Sequence, residues 1–290
     1  MTSAAIMQAS ASDYFALLKP KVMSLVVFTG FAGFWLAPGA SGIHPFLAAI
    51  GILCLALGAG AAGAINMWFD RDIDSVMKRT MNRPLPLGRI EPDDALGFGV
   101  ILSILSVMMM GLALNWMAAA VLAAANLFYV FVYTVWLKRS TPQNIVIGGA
   151  AGAFPPMIGW AMATGDISAF PVLLFAIIFF WTPPHFWALS LFANEDYKRA
   201  KIPMMSVTAG AKSTKIQMLV YTLILLPITL APWALGYSSA VYGLIAAALS
   251  GFFVYTAIKV LRSDDLKDAR VMFGYSVFYL FALFLALMIG

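Results

Sequence analysis

The sequence predicts an all-α, polytopic membrane protein: nine transmembrane helices in a bundle, with the active site at the cytoplasmic mouth. Three observations predict it. Of 290 residues, 62% are hydrophobic and 11% charged, with a mean hydropathy of +0.89, too little polar material to cover a soluble domain. Apolar stretches approaching the roughly 20 residues that cross a bilayer recur along the whole chain. When nine such spans are drawn, every Lys and Arg falls on one side of them.

The first dozen residues lack a basic segment followed by an apolar core and a cleavage site, so no cleaved signal peptide is expected. Residues 1–21 read as a cytoplasmic N-terminal tail. Within it, Ser12 or Asp13 is expected to cap a short interfacial helix that runs through Leu18 and stops at Pro20. The spans follow at 22–38, 45–68, 95–114, 117–137, 144–164, 169–192, 216–235, 240–258 and 271–289. Each must be helical, because backbone in hydrocarbon has to satisfy its own hydrogen bonds. Together they make one transmembrane domain, 1–290. The lone Cys54 lies inside the second span and reads as a small buried hydrophobe.

The second span ends in Asn66, Asp70 and Asp74, spaced by four. On a helix, steps of four drift only about 40° each, so the three side chains project from nearly one face. Asp70 and Asp74 form a hard-oxygen pair suited to Mg²⁺ carrying a phosphorylated substrate. An acidic solvated helix end is the plain alternative.

All 18 Lys and Arg lie in the N-terminal tail or after spans 2, 4, 6 and 8. The positive-inside rule puts the N-terminus in the cytoplasm and, with nine spans, the C-terminus outside. Of 13 acidic residues only Asp166 falls on the outer side, so chemistry that needs charge belongs at the cytoplasmic mouth. The net charge of +5 is explained by this topology, which leaves no argument for a nucleic-acid partner. The lipid bilayer is the expected surrounding.

Two cytoplasmic loops are long, about 69–94 and 193–215, and long loops in compact proteins tend to be functional. The first carries Arg71, Lys78, Arg79 and Arg83. The second carries Asn194, Glu195, Asp196, Lys198 and Arg199. Each pairs carboxylates with cations, the combination that binds Mg²⁺ and a phosphate ester together. Asn144 opens span 5, which continues into a glycine-rich stretch suited to close helix packing. Span 6 contains Trp181-Thr182-Pro183-Pro184-His185, whose two prolines should kink or break the helix. An ionisable side chain inside the membrane is a functional hypothesis by default. His185 could serve as a metal ligand, a heme-iron ligand or a base, or it could bond a carbonyl freed by the prolines.

These blocks resemble the superfamily of intramembrane aromatic prenyltransferases, and within it the protoheme IX farnesyltransferase (heme O synthase) branch. The resemblance rests on the segment from Asp13 to Pro20, the segment from Asn66 to Asp74, and Arg79-Thr80 with Arg83-Pro84-Leu85-Pro86. It continues in Lys138-Arg139, Gln143 to Gly149, Gly152 to Pro156, Trp181 to Phe186, and Asp196-Tyr197 with Ile202-Pro203-Met204. Many members that prenylate quinone precursors carry a second Asp-x-x-x-Asp motif after span 6. Here that stretch reads Asn194 to Ala200 without the spacing, which favours the heme branch.

The resemblance implies transfer of a farnesyl group from farnesyl diphosphate to a vinyl group of heme B in the cell inner membrane, giving heme O. It implies Mg²⁺ on Asp70, Asp74 and Asp196, with Asn66 orienting the pair. Arg71, Lys78, Arg79, Arg83, Asn144, Glu195, Lys198 and Arg199 are expected to bind substrate, and Asp70, Asp74, His185 and Asp196 to be catalytic. A prenyltransferase acting on a quinone precursor such as 4-hydroxybenzoate is the nearest alternative. A membrane transporter is more distant, because spans 1, 3, 8 and 9 carry no charged or amide side chain away from their ends.

Overall fold

The computed structural model describes residues 9–290; the start of the N-terminal tail, 1–8, lies outside the described residues. The chain forms α1 (Ala11–Leu17), α2 (Pro20–Trp35), a 3-10 turn (Ala40–Gly42), α3 (Pro45–Phe69), α4 (Arg71–Val76) and α5 (Pro92–Ala113). Next, α6 (Trp116–Leu127) passes into a π-helix (Phe128–Leu137) and α7 (Lys138–Ser140), followed by α8 (Asn144–Ala153) and α9 (Pro155–Thr164). The second half holds α10 (Ala169–Phe192), α11 (Asn194–Arg199), α12 (Met205–Thr208), α13 (Gly210–Ala234), α14 (Ala240–Arg262) and α15 (Leu266–Ile289). The fold is all-α, as the composition requires.

Among the described residues eight helices are long and apolar enough to cross a membrane alone, counting Trp116–Ser140 and Asn144–Thr164 as one span each. The pair α1 and α2, bent by 55°, makes a ninth when taken as one span. The first span is therefore shorter at its far end than expected: α2 has 16 residues, about 24 Å of helix. The bend sits at Lys19, which takes left-handed backbone angles (φ 52°, ψ 56°) just before Pro20. A residue preceding proline is steered away from the right-handed helical region, so the two helices cannot run straight through.

The α1 cap is Ser10 rather than Ser12 or Asp13. Asp13 instead closes a capping box three residues in, its carboxylate accepting from the Ser10 N–H at 3.1 Å. Leu17 is fully buried in a cluster with Ala64 and Met67 of α3, so α1 docks on the bundle as well as facing the interface.

Two proline sites behave differently from expectation. Helix α10 runs unbroken through Pro183 and Pro184. Spanning helices tolerate internal proline where side chains and neighbouring helices support the freed backbone, and the Thr182 hydroxyl donates to the Ile178 carbonyl at 2.8 Å beside them. The break comes instead at Phe154, where Pro155 opens α9 at the one helical turn that needs no N–H donor. The apolar ends of α13 and α15 also begin earlier than hydropathy indicates, so Lys212, Lys215, Lys267 and Arg270 stand in their opening turns.

The helices pack in chain order, α3 on α5, α6 on α9, α8 on α10, α10 on α13, α13 on α14 and α14 on α15; α15 returns to α2 and closes the bundle. Helices α2 and α9 cross so closely that a Cβ at Gly159 would fall 1.9 Å from the Gly30 carbonyl oxygen, which only glycine avoids. Cys54 is buried in the core, 1% exposed.

Candidate active site

The apolar run of α3 ends at Phe69, and Asp70 joins it to the short α4. The spacing of four survives this junction: the Asp70 N–H bonds the Asn66 carbonyl at 2.9 Å, and the Asp74 N–H bonds the Asp70 carbonyl at 2.8 Å. Asn66, Asp70 and Asp74 are 3%, 0% and 2% exposed, which excludes a solvated helix end. Burial of that degree requires partners, since an unpaired charge away from water is very costly.

The partners come from distant segments. Asn66 donates through Nδ2 to Asp70 Oδ2 at 2.7 Å and to Thr134 Oγ1 at 3.1 Å. Its Oδ1 accepts from the Lys19 ammonium at 2.7 Å. Lys138 pairs with Asp70 on the same oxygen, and Arg139 approaches Oδ1 at 3.4 Å. Arg83 Nη1 bonds Asp74 Oδ2 at 2.6 Å, while the Thr80 hydroxyl donates to the Asp74 carbonyl. Arg139 also grips Asp72 through two bonds of 2.8 and 2.7 Å and lies over the Phe69 ring. Those bonds hold the Asp72 carboxyl below its ordinary range. Arg83, Lys138 and Arg139 thus pair with three carboxylates and Lys19 adds a fourth cation at Asn66, leaving the mouth positive and ready for an anion.

The π-helix is what aims the fourth span. Its turns are wider than those of an α-helix, so it resets the register of everything after it, a feature frequent at functional sites. Thr134, Lys138 and Arg139 reach the ladder from this stretch. Tyr129 and Tyr133 lie ring against ring on the same stretch, tilted by 34° with centres 5.4 Å apart. Gly148 of α8 admits Tyr133: a Cβ there would stand 2.2 Å from the ring.

The two long loops meet. Ile73 and Met77 of the first pack with Tyr197, Ala200, Ile202 and Met204 of the second and with Ile145. Tyr197 is buried, which pushes its phenol upward, and Arg79 lies beside its hydroxyl. The polar residues of the second loop, however, pair within their own turn. Arg199 bonds Asp196, and Lys198 bonds Glu195 at 2.9 Å on the exposed surface. Among the described residues no hydrogen bond or ion pair links them to Asp70 or Asp74, and no three His, Cys, Asp or Glu side chains gather as a metal-binding group. Asp196 is thus paired with Arg199 and does not gather with Asp70 and Asp74 into one group of side chains. Lys78 and Arg71 are exposed, Arg71 donating to the Trp68 carbonyl at 2.7 Å.

Mg²⁺ nevertheless fits the residues present. It is usually held by one or two carboxylates, substrate phosphates and water rather than by an all-protein cage. Asp70 and Asp74 supply two buried carboxylates, and Asp74 Oδ1 has no hydrogen-bond partner among the described residues. Asn144, 1% exposed, donates to the Thr141 carbonyl, but its own Oδ1 is buried without a donor, the mark of a group that a ligand completes. His185 stands apart from the ladder network. It lies between α10 and α15 and bonds the Ser276 hydroxyl instead of a carbonyl freed by the prolines.

Lys19, Thr134, Lys138 and Arg139 were not singled out as site residues from the sequence. A positive-inside protein places cations at that end for topology alone, and composition cannot separate an anchor from a ligand.

Comparison with known proteins bears on this geometry. The model of the UbiA prenyltransferase family matches residues 26–287. A protein named protoheme IX farnesyltransferase from Granulibacter bethesdensis is 59% identical over 288 residues, covering 96% of this chain and 90% of that protein. A structure described as digeranylgeranylglyceryl phosphate synthase superposes with a TM-score of 0.79 at 19% identity, covering 96% of this chain and 97% of the other. A UbiA homolog from Archaeoglobus fulgidus, described as bound to DMAPP and Mg²⁺, has a TM-score of 0.70 at 18% identity, covering 94% and 99%. The two structures establish the shared fold, and the family model and close relative establish the lineage. The chain belongs to the UbiA prenyltransferase family, in the branch named protoheme IX farnesyltransferase.

Proposed function

We propose that this chain transfers the farnesyl group of farnesyl diphosphate to a vinyl group of heme B, giving heme O with a hydroxyethylfarnesyl side chain. One observation carries the reading: a buried carboxylate ladder ringed by cations at one end of an apolar bundle, in a chain that matches proteins of that name nearly end to end.

The residues suit the chemistry. Asp70 and Asp74 would hold Mg²⁺ on the diphosphate, where the ion supplies neutralisation of the phosphate oxygens. The Archaeoglobus fulgidus homolog, described with a prenyl diphosphate and Mg²⁺ bound, supports that assignment. Asn66 fixes the Asp70 carboxylate, and Lys19 fixes Asn66. Lys138, Arg139, Arg83 and Arg79 stabilise the charge that grows as the bond between the allylic carbon and the diphosphate oxygen breaks. Lys78, Arg71, Lys198 and Arg199 extend the positive field at the rim, and Glu195 and Asp196 temper it.

The bundle interior excludes water from the allylic cation. Attack by the terminal vinyl carbon forms the new C–C bond and moves the positive charge to the carbon beside the macrocycle. Water adds there and loses a proton, leaving the hydroxyl. His185 serves the acceptor side. The segregation of basic residues supports a mouth that faces the cytoplasm.

Detergent-purified protein incubated with farnesyl diphosphate, Mg²⁺ and either heme B or 4-hydroxybenzoate tests this directly by mass spectrometry of the products. A hydroxyethylfarnesyl heme is expected, and prenylated 4-hydroxybenzoate without any farnesylated heme would overturn the acceptor assignment.

A further inference from the structure

His185 is held by a chain of hydrogen bonds that decides which of its ring nitrogens carries the proton. Its Nδ1 lies 2.6 Å from Ser276 Oγ on α15, and the same Oγ lies 2.6 Å from the Phe273 carbonyl oxygen. A carbonyl oxygen only accepts. Without a proton between them, two oxygens at that distance would set lone pair against lone pair, so the Ser276 hydroxyl donates to Phe273. Ser276 Oγ has no second proton, and its contact with His185 must use an Nδ1–H donated by the imidazole. The neutral ring has one proton, which leaves Nε2 bare.

The surroundings keep that arrangement in place. The imidazole is stacked between Trp181 (centroids 4.3 Å, 18°) and Phe273 (4.6 Å, 22°), with Phe186 edge-on at 5.0 Å. Trp181 Nε1 donates to the Ser276 carbonyl at 2.8 Å, so α10 and α15 are pinned at the same residue twice. Both ring faces are covered, and only the edge carrying Nε2 is left. Nε2 has no hydrogen-bond partner among the described residues, and it is not one of the fully enclosed, unpartnered polar atoms. A ring fixed in plane with a bare nitrogen at its free edge is the form in which imidazole binds iron. The hydrogen bond at the opposite nitrogen raises its donor strength.

We propose that Ser276 is a positioning residue that locks His185 in the Nδ1–H tautomer and so presents Nε2 as an axial donor to the iron of the porphyrin acceptor. This rests on the heme reading of the function. The role of Ser276 is exerted through His185, with no contact to the reacting vinyl group.

The chain has two histidines, so ¹⁵N-histidine NMR of His44→Gln protein isolates His185. The expected spectrum shows a protonated Nδ1 and a bare Nε2. Ser276→Ala should give a mixture of tautomers, and Ser276→Thr, which keeps the hydroxyl, should restore one. Resonance Raman of the ferrous, heme B-loaded protein should show an iron–imidazole band that His185→Ala abolishes and Ser276→Ala moves to lower frequency. A protonated Nε2 in the otherwise native chain, or a tautomer unmoved by Ser276→Ala, overturns the proposal. With the tautomer as expected, absence of the iron–imidazole band overturns the axial assignment. Failure to form any farnesylated heme in the product assay, by contrast, falsifies the function reading itself.

Discussion

Lys19 donates a 2.7 Å hydrogen bond to Asn66, joining the entry to the first span with the last turn of the second across 47 positions of sequence. The bond occupies the one acceptor atom of Asn66 and so turns its amide donors toward Asp70 and Thr134. Lys19 reaches it from a left-handed backbone, a conformation that costs an L-residue about 1 kcal/mol or more.

Replacing Lys19 by Met should therefore impair catalysis more than folding. Loss of a hydrogen bond made by a charged group is worth about 2 kcal/mol, or roughly 10- to 100-fold in kcat/KM for the prenyl diphosphate. Initial-rate kinetics check this, with gel filtration in detergent as the control for folding. Unaltered kinetics in Lys19→Met would remove Lys19 from the site.

Asp70→Asn and Asp74→Asn should each lower turnover by about 10³-fold or more, since metal-borne charge stabilisation is worth several kcal/mol, while both proteins still insert in the membrane. Chelation of divalent ions should abolish turnover in the native chain, and added Mg²⁺ should restore it. Full activity in both variants, or in chelator, would sink the metal assignment.

Gly148→Ala should disturb the paired tyrosines, because the new methyl would stand 2.2 Å from the Tyr133 ring. Overpacking of this kind costs about 1–3 kcal/mol. A double-mutant cycle with Tyr133→Ala checks the cause: the combined loss in thermal stability should be smaller than the two single losses added together. Strict additivity would place the strain elsewhere.

The Asp72–Arg139 pair gives a pH dependence with a definite sign. Arg139 depresses the folded-state pKa of Asp72, so the contribution is complete above the unfolded value of about 3.9 and is lost as pH falls through the lower folded one. The Asp72 side chain is 60% exposed, and solvent screening limits the pair to below about 1 kcal/mol. The stability difference between native protein and Asp72→Asn should be flat from about pH 5 to 8 and shrink toward pH 3. Denaturant titrations in detergent at several pH values measure it, and a difference that grows on acidification would contradict the pairing.

Much was legible in the residues themselves. Hydropathy located the spans because hydrocarbon thickness imposes a length on any helix that crosses it. The spacing of Asn66, Asp70 and Asp74 survived the break between α3 and α4 because backbone bonds carry helical geometry through Asp70. What misled was local inference. Pro183 and Pro184 carried the textual mark of a kink or a break, yet α10 continues through them without a break, and the chain divides at Phe154 instead. Asp196 stands in the second of the two loops that meet, and it pairs there with Arg199, one turn away.

By itself, then, the sequence determined the class, the spans, the segregation of charge and the carboxylate ladder, all properties set by local period and by the bilayer. Only the tertiary structure decided which cations serve that ladder and which nitrogen of His185 meets Ser276. Lys19, Lys138 and Arg139 are ordinary basic residues until the bend before Pro20 and the wide turns of the π-helix carry them to Asn66 and Asp70. The physical reason is that a buried charge is specified by what surrounds it in space, and here its neighbours lie 47 and 68 residues away along the chain.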